Sequence, residues 1–505
     1  MNPNNGGCCA STCTTCPVSR RGFLTAGMAA SVLPAVSASS MKDPARQQPI
    51  RMALKVQPVL VYDLYKRREA TSWRPWGGLM NEQDVAAEKE RIGKELSSMK
   101  TSADFPLEVL PLATARNQDE AAAIARGDSD VIISYAASGD GRIFETLTVP
   151  GKWHLMFLRH RSGPVYLWYE IAHPRFLRKT VDEFGQPGMN VHDVVVDSHA
   201  EILIRLRALG ALKNTMGKRI VAVGGPSGWG AGGRNAPDLA REQFKFDLQT
   251  VPYPELGERI KRARADSALV KRCQGEAEMY LRDKAVRLET SREFVQNSFV
   301  LTEVLRDLLD EAKTDALTIN QCMGTIMPMS ETTACLPLSL LNDDGYMAFC
   351  ESDFVVIPSG VLLHYISGKP VFLNDPTHPH DGVVTIAHCT APRKMDGMHA
   401  EPVRVLTHFE SDYGASPKVE MRKGTKMTNL VPDFASRKWI GFEGEVIDNP
   451  FMAICRSQVD ITIEGSTEKL LEQMGGFHWM SSYGAYVKET KYALRKIGVE
   501  LVQLT

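Results

Sequence analysis

Short apolar runs alternate with helical patterns along the first two thirds of this chain, and this alternation restricts its fold more than any other feature. "RMALKVQPVLVYDL", "LEVLPLA" and "DVIISYAA" are strand-like runs, and "NEQDVAAEKERIGKELSSMK" and "NQDEAAAIARG" are helical patterns between them. Strands that alternate with helices form parallel sheets, because parallel neighbours need a crossover connection. "RIVAVGG", "TDALTIN" and "GYMAFCE" extend the pattern. We therefore predict two Rossmann-like parallel α/β domains, residues 51–175 and 176–365.

The C-terminal part has a different pattern. "GVVTIAHC", "PVRVLTHF", "RKWIGFEGEVID" and "VDITIEG" are short alternating runs separated by turn residues. Such runs indicate an antiparallel sheet or barrel. We predict a β-rich, barrel-like C-terminal domain over residues 366–505. Three domains also suit the length of the chain, because 505 residues are too many for one hydrophobic core.

The N-terminus carries an export pattern. "SRRGFLTAGMAASVLPAVSA" contains adjacent Arg20 and Arg21, then a short apolar run that closes on small residues. This order is typical of a twin-arginine signal. We expect residues 1–38 to be the signal peptide and residues 39–50 to be a polar linker. The predicted partner is the twin-arginine export machinery, and the predicted location is the periplasm or the outside of the cell.

Composition excludes some classes of partner for the mature chain. Beyond the first forty positions there is no stretch of 18 apolar residues, so we expect no membrane span after signal cleavage. The full sequence has a formal net charge of −1, and loss of Arg20 and Arg21 with the signal peptide makes the mature chain more negative, so neither form has an electrostatic reason to bind nucleic acid. The cysteines after the signal are too sparse for a disulfide scaffold, and their pairing stays open.

Carboxylates follow two of the apolar runs. Glu351 comes directly after "YMAFC", and Asp375 directly after "PVFLN". The stretch between them has the length of a short helix, with Pro358 near its start and Gly368 at its end. A strand–helix–strand crossover would place both acids at the carboxyl ends of two parallel strands, in one cleft. Such a pair can bind a divalent cation or act as acid and base on a polyol. The alternative is that each acid caps a helix or faces water.

A histidine motif near the C-terminus complements this pair. His478 lies in "HWMSSYG", just before a helical pattern. Together, Glu351, Asp375 and His478 resemble the metal triad of the L-fucose isomerase family. That family has a Glu in an E-x-D segment, an Asp 24 residues later and a His in an H-x-x-x-x-Y-G segment. Here the corresponding text is "CESD", "GVLLHYISGKPVFLND" and "HWMSSYG". The layout over roughly residues 50–505 is similar as well, with two α/β units before a β-rich domain.

The resemblance implies a metal-dependent aldose–ketose isomerase. Glu351, Asp375 and His478 would bind Mn²⁺, a metal that suits two oxygens and an imidazole. The substrate would be a small open-chain sugar that reacts through a cis-enediol. Glu351 and Asp375 would move the proton as acid and base, in roles that the sequence does not assign. By resemblance, the protein would be a homo-oligomer, a trimer or a hexamer.

Four further residues are candidates for contact with the sugar. His388 ends the strand-like run in "AHCTAP", Tyr483 belongs to the histidine motif, and Trp73 and Arg74 lie in "TSWRPWGG". Aromatic and guanidinium groups suit stacking on sugars and contact with hydroxyl groups. His388 could also be a ligand, and the favoured alternative for it is a core histidine. For Trp73 the alternative is ordinary packing.

A glycine-rich segment offers a competing interpretation. In "RIVAVGGPSGWGAGG", Gly228, Gly230 and Gly233 fit G-x-G-x-x-G after a strand, which would indicate a nicotinamide-dependent sugar oxidoreductase. The loop is long, however, and the next strand, "FKFDLQTVPY", has no acid at its end to bind a ribose. We favour a flexible loop over the cleft. The remaining alternative is an exported sugar-binding protein that keeps the fold without turnover.

Overall fold

The computed structural model describes residues 51–504, apart from 65, 67–68, 70–76, 167–171, 174–176 and 178–187. The predicted signal peptide with Arg20 and Arg21, the linker, and the candidate sugar contacts Trp73 and Arg74 lie outside the described residues. Within the described ranges, no helix combines the length and the apolar character needed to cross a membrane.

The first sheet is parallel throughout its described pairings. Its strands are β1 (Leu54–Val61), β2 (Leu107–Val109), β3 (Ala113–Ala115), β4 (Val131–Ala136), β5 (Trp153–Leu158) and β6 (Val194–Val196). They follow the order β2-β1-β4-β5-β6, and β3 pairs with the second half of β1. The helices between these strands are α1 (Glu82–Ser102), α2 (Gln118–Ala125) and α3 (Gly141–Leu147). A 3-10 turn, Val191–Asp193, precedes β6.

The second sheet is also parallel. Its strands are β7 (Arg219–Val223), β8 (Asp247–Val251), β10 (Ala316–Ile319) and β11 (Met347–Cys350), in the order β11-β10-β7-β8. The helices of this region are α4 (His199–Thr215), α5 (Ala236–Phe244), α6 (Tyr253–Ala265), α7 (Ser267–Arg282), α8 (Arg292–Ala312), α9 (Met327–Ser330) and α10 (Cys335–Asp343). The strand order reverses between β7 and β10, and open α/β sheets bind ligands outside the carboxyl ends of strands at such a point.

The C-terminal region contains a closed antiparallel barrel. Its six strands are β12 (Phe372–Pro376), β13 (Val383–His388), β16 (Lys426–Pro432), β17 (Lys438–Asp448), β18 (Ser457–Thr462) and β19 (Trp479–Tyr483). The order β16-β19-β12-β13-β18-β17 closes because β16 also pairs with β17. Closure leaves these strands no free edge. The prediction of an α/β protein with parallel sheets and a barrel-like C-terminal region is therefore confirmed.

Smaller elements complete the C-terminal half. The strand β20 (Glu500–Gln503) pairs in parallel with β17. The strands β9 (Val286–Leu288), β14 (Val403–His408) and β15 (Tyr413–Val419) form a separate sheet. The helices are α11 (Ile357–Ser367), α12 (Thr467–Gln473) and α13 (Val487–Lys496). Both α11 and α13 pack against α4, so one apolar core runs from the first sheet to the C-terminal helix.

The predicted crossover from β11 to β12 is wrong in one respect. The helix between them has Pro358 in its first turn and ends at Gly368, whose φ is +71°, as the sequence indicates. The strand that follows does not join β11, however, but pairs antiparallel with β13 and β19 of the barrel. A short buried apolar run has no periodicity that tells a parallel partner from an antiparallel one. Glu351 and Asp375 therefore come from different sheets.

Candidate metal centre

A strained turn carries Glu351 away from the end of β11. Glu351 and Ser352 both have positive φ, +64° and +48°, a conformation that costs a non-glycine residue about 1–2 kcal/mol. Hydrogen bonds hold the turn. The amide of Ser352 donates to Thr318 Oγ1 (3.1 Å), and the amide of Ser227 donates to the carbonyl of Ser352 (3.2 Å). Neighbouring strands and loops thus fix the position of the Glu351 side chain.

The structure brings together the three residues of the predicted triad. His478 Nε2 lies 3.2 Å from Glu351 Oε2 and 3.1 Å from Asp375 Oδ1. All three atoms are buried, and none of them makes a hydrogen bond of acceptable geometry. Buried polar atoms without partners are rare, because each loses its hydration without compensation. Carboxylate oxygens and imidazole nitrogens are donors that could hold a metal ion.

Asp353 orients the imidazole. Its Oδ2 lies 2.7 Å from His478 Nδ1, and its Oδ1 accepts hydrogen bonds from the amides of Trp229 (3.0 Å) and Val355 (3.1 Å). Because a carboxylate accepts, His478 carries its proton on Nδ1 and presents Nε2 to the other donors. Carboxylates beside metal-binding histidines have this role in many proteins. We did not include Asp353 among the predicted site residues, although the E-x-D pattern in "CESD" contained the signal.

His388 adds a fourth group. Its Nε2 lies 3.5 Å from Glu351 Oε1, while its Nδ1 lies 3.0 Å from Thr390 Oγ1. The imidazole is buried, and its donor atom lies within 4.8 Å of those of Asp375 and His478. From the sequence, His388 could be a ligand or a sugar contact, and a core histidine is the favoured alternative. The structure places His388 among the potential ligands, next to Asp375 on the neighbouring strand β12.

Electrostatic interactions among the side chains of the site favour protons on the histidines. Burial opposes the charge of His478, but Asp353, Asp375 and Glu351 together raise its pKa to about 11. Burial also opposes the charge of His388, whose pKa is nevertheless raised by Glu351 and Asp375. Burial disfavours the Glu351 carboxylate, but the two histidines outweigh it and lower the pKa of Glu351. The positive charge that these carboxylates require is thus supplied by protons, which a bound cation would displace.

Tyr483 lies in the same strand as the residues that follow His478. Its side chain is buried, and its hydroxyl donates to Glu401 Oε1 (2.8 Å) and accepts from the amide of Arg422 (3.0 Å). Both hydrogen-bonding directions of the hydroxyl are therefore occupied by these two partners. The predicted contact of Tyr483 with a sugar stays a prediction.

The glycine-rich loop lies beside the centre. A Cβ atom on Gly228 would lie 2.1 Å from the carbonyl oxygen of Gly233, so these glycines allow the loop to pack closely on itself. Ser227 pairs with Asp353 as an isolated bridge, and the Trp229 ring lies 5.2 Å from the His478 ring. The spacing of Gly228 and Gly233 is thus explained by close packing of the backbone next to the site.

Fold and site together define an α/β protein with a candidate metal centre. Its donors come from the end of a parallel sheet and from two strands of an antiparallel barrel, together with the residue before a third. Compared with protein-family models and with curated proteins, the chain matches none. The function must therefore be inferred from the residues of the site and from their geometry.

Proposed function

We propose that this protein is a Mn²⁺-dependent aldose–ketose isomerase of the L-fucose isomerase type. One observation carries the proposal. His478 Nε2 lies 3.2 Å from Glu351 Oε2 and 3.1 Å from Asp375 Oδ1, and all three atoms are buried without a hydrogen-bond partner. The two parallel sheets, which we take to be Rossmann-like in finer detail, and the barrel after them support it through the similar layout of that family.

The donor set fits a divalent cation that accepts both oxygen and nitrogen ligands. Two carboxylates with one or two imidazoles suit Mn²⁺, and another divalent ion of similar preference would find the same donors. Asp353 supports the fit, because it turns the second nitrogen of His478 toward the carboxylates. The positive φ of Glu351 supports it too, since such strain is common where a side chain must be aimed at a ligand.

The two carboxylates can also reach a substrate. The side chains of Glu351 and Asp375 are 35% and 27% exposed, so part of each faces solvent while its buried oxygen faces His478. When bound, Mn²⁺ would polarise the carbonyl of an open-chain sugar. One carboxylate would take the proton from C2 and return it to C1. The other would protonate O1 and accept the proton of O2, so that the cis-enediol forms and collapses without net proton change.

Export through the twin-arginine route forms part of the proposal. The route carries folded proteins, so a Mn²⁺ site could be filled before transport. This matters because Mn²⁺ stands low in the affinity order and loses to Zn²⁺ or Cu²⁺ where those ions are free. We propose a periplasmic or secreted homo-oligomer that acts on a small sugar.

Metal content tests the proposal. The mature chain is purified without chelator, supplied with Mn²⁺, and measured by mass spectrometry. We expect about one divalent ion per chain in the wild type and none in His478→Ala combined with Asp375→Asn. The matched control is His378→Ala with Asp381→Asn, two exposed residues of the neighbouring loop, which should keep the metal.

Turnover is then followed by NMR. In D₂O, an active isomerase places deuterium on the carbon chain of an aldose from a panel of pentoses and hexoses, and the double variant should not. A wild type that holds no metal even after Mn²⁺ is supplied would contradict the isomerase mechanism. The sugar-binding alternative would then take its place.

A further inference from the structure

Two exposed aromatic rings stack on each other at the surface. The rings of Trp229 and Phe477 have centroids 4.9 Å apart and planes inclined by 10°. Their side chains are 45% and 42% exposed. Among the described exposed side chains of Phe and Trp, the other is Phe451, which the guanidinium of Arg404 covers. A contiguous patch of exposed aromatic surface often marks a binding site.

The stacked pair adjoins the candidate metal centre. The His478 ring meets Trp229 edge-on at 5.2 Å and Phe477 edge-on at 4.9 Å. Phe477 directly precedes His478 in the chain, and the amide of Trp229 donates to Asp353, the carboxylate that orients His478. Phe477 is therefore joined to His478 by a peptide bond, and Trp229 is joined to it by two hydrogen bonds through Asp353.

Charge at the centre points to an uncharged ligand. In the part of the chain that the structure describes, Glu351, Asp353 and Asp375 form their ion pairs with histidines. A bound divalent cation beside neutral histidines would leave these three carboxylates with one negative charge in excess, which disfavours a phosphate or a carboxylate as ligand. Binding sites for small molecules combine a few polar anchors with apolar and aromatic walls. The metal centre supplies the anchors, and the aromatic pair supplies a wall.

We infer that Trp229 and Phe477 form a stacking platform for the C–H face of a neutral sugar whose carbonyl end lies at the metal centre. The inference rests on the proposed function and adds to it two residues that would contact the carbon chain of the sugar. Aromatic rings contribute a large contact area at a low entropy cost, and their faces attract the slightly positive hydrogens of C–H groups.

Kinetics of paired variants test the platform. For the most active neutral aldose of the panel, Trp229→Ala should raise KM by about 10-fold, because the stacked face is lost. Trp229→Phe should restore most of the affinity, and kcat should change less than KM in both. Phe477→Ala should resemble Trp229→Ala. Trp153→Phe, in a strand of the first sheet, is the control and should behave as the wild type.

A binding measurement separates the platform from turnover. Arabinitol and fucitol, which cannot isomerise, are titrated into the Mn²⁺-loaded protein while tryptophan fluorescence is followed. We expect a saturable change in the wild type and in Trp153→Phe that is absent in Trp229→Phe, since Trp229 is the reporting ring.

Each outcome bears on one statement. Normal metal content and unchanged KM in Trp229→Ala and Phe477→Ala, with unchanged alditol affinity in Phe477→Ala, would overturn the platform and leave the metal site intact. Loss of metal in these variants would also overturn it, because the rings would then serve only to hold His478. A fluorescence of Trp229 that depends on protein concentration and not on alditol would assign the rings to a contact between two copies. Absence of metal from the wild type would refute the proposed function itself.

Discussion

His478 Nδ1 and Asp353 Oδ2 lie 2.7 Å apart, and both side chains are 1% exposed. This contact fixes the imidazole so that its second nitrogen faces Glu351 and Asp375. Asp353 also accepts a hydrogen bond from the amide of Trp229. A single carboxylate therefore positions both the His478 imidazole and the glycine-rich loop.

The first prediction concerns this carboxylate. Asp353→Asn keeps the shape of the side chain but removes its charge and one of its two acceptors. We expect Mn²⁺ affinity to fall by about 10–100-fold, because His478 is no longer held in one tautomer and orientation. Competition with a fluorescent chelator measures the affinity. Asp381→Asn, at an exposed position, is the matched control. Equal Mn²⁺ affinities in the two variants would contradict the orienting role of Asp353.

The second prediction concerns the close packing of the glycine-rich loop. In Gly228→Ala, the new Cβ would lie 2.1 Å from the Gly233 carbonyl oxygen, so the backbone must move. Because Trp229 follows directly and donates to Asp353, we expect both the melting temperature and the Mn²⁺ affinity to fall, with about 1–3 kcal/mol lost in stability. Thermal unfolding with and without Mn²⁺ measures the two effects.

A matched glycine provides the control for this substitution. Gly275 lies in the helix Ser267–Arg282, and a Cβ there would meet no atom within 4 Å. Gly275→Ala should raise stability by about 0.5–1 kcal/mol, since alanine is the better helix former. If Gly228→Ala behaved in the same way, the loop would not depend on close packing.

The sequence predicted those parts of the site that depend on local signals. Pro358 and Gly368 mark the two ends of one helix because proline fits a first helical turn and glycine tolerates the left-handed conformation after the last. The order of parallel sheets and then barrel followed from the change in hydrophobic pattern. The convergence of Glu351, Asp375 and His478 was anticipated through family resemblance to short motifs around each residue.

Features that depend on distant pairing could not be predicted. The strand β12 pairs on one side with β13, the next strand in the chain, and on the other with β19, the last of the six barrel strands, so its place in the sheet depends on a distant segment. His388 reaches the site through the pairing of β13 with β12. The contact of Asp353 with His478 spans 125 positions of the chain, and the E-x-D pattern alone does not show which histidine the aspartate meets.

The third prediction concerns a buried ion pair in the first α/β region. Arg159 Nε lies 2.6 Å from Glu88 Oε1, both side chains are fully buried, and Arg159 Nη2 lies 2.6 Å from Glu95 Oε2. Arg159→Leu would leave the buried carboxylate of Glu88 with Arg91 and the Tyr166 hydroxyl as its partners, and would remove the contact of Arg159 with Glu95. Because part of the compensation stays, we expect a loss of about 3 kcal/mol in the free energy of unfolding, the lower end for a broken buried pair, measured with denaturant.

Two further variants define the origin of that loss. Adding Glu88→Gln to Arg159→Leu should restore part of the stability, because it removes a buried charge that has lost its buried cationic partner and keeps only the partly exposed Arg91. Arg241→Leu breaks an exposed pair with Asp238 and should cost no more than about 1 kcal/mol. A similar cost for Arg159→Leu and Arg241→Leu would show that burial of the first pair has no energetic consequence.

The last prediction concerns pH. The His154 side chain is buried, its Nε2 accepts the amide hydrogen of Val149 (3.2 Å), and burial lowers its pKa to about 4. In the unfolded chain a histidine titrates near pH 6.5. Between these values the unfolded state binds a proton that the folded state does not. The contribution of His154 to stability is therefore complete above pH 6.5 and is lost as pH falls to about 4, at about 1.4 kcal/mol per pH unit.

His154→Gln keeps a hydrogen-bond acceptor but removes the titrating group. The variant should be less stable than the wild type at pH 7.5, because the glutamine does not fill the same space. Its free energy of unfolding should nevertheless fall less steeply between pH 6.5 and 4.5, as measured by guanidinium unfolding at four pH values. The imidazole resonance of His154 should keep its neutral position down to about pH 5 in the folded wild type. Parallel slopes for wild type and variant would mean that His154 binds its proton equally well in both states, and that another buried group controls acid unfolding.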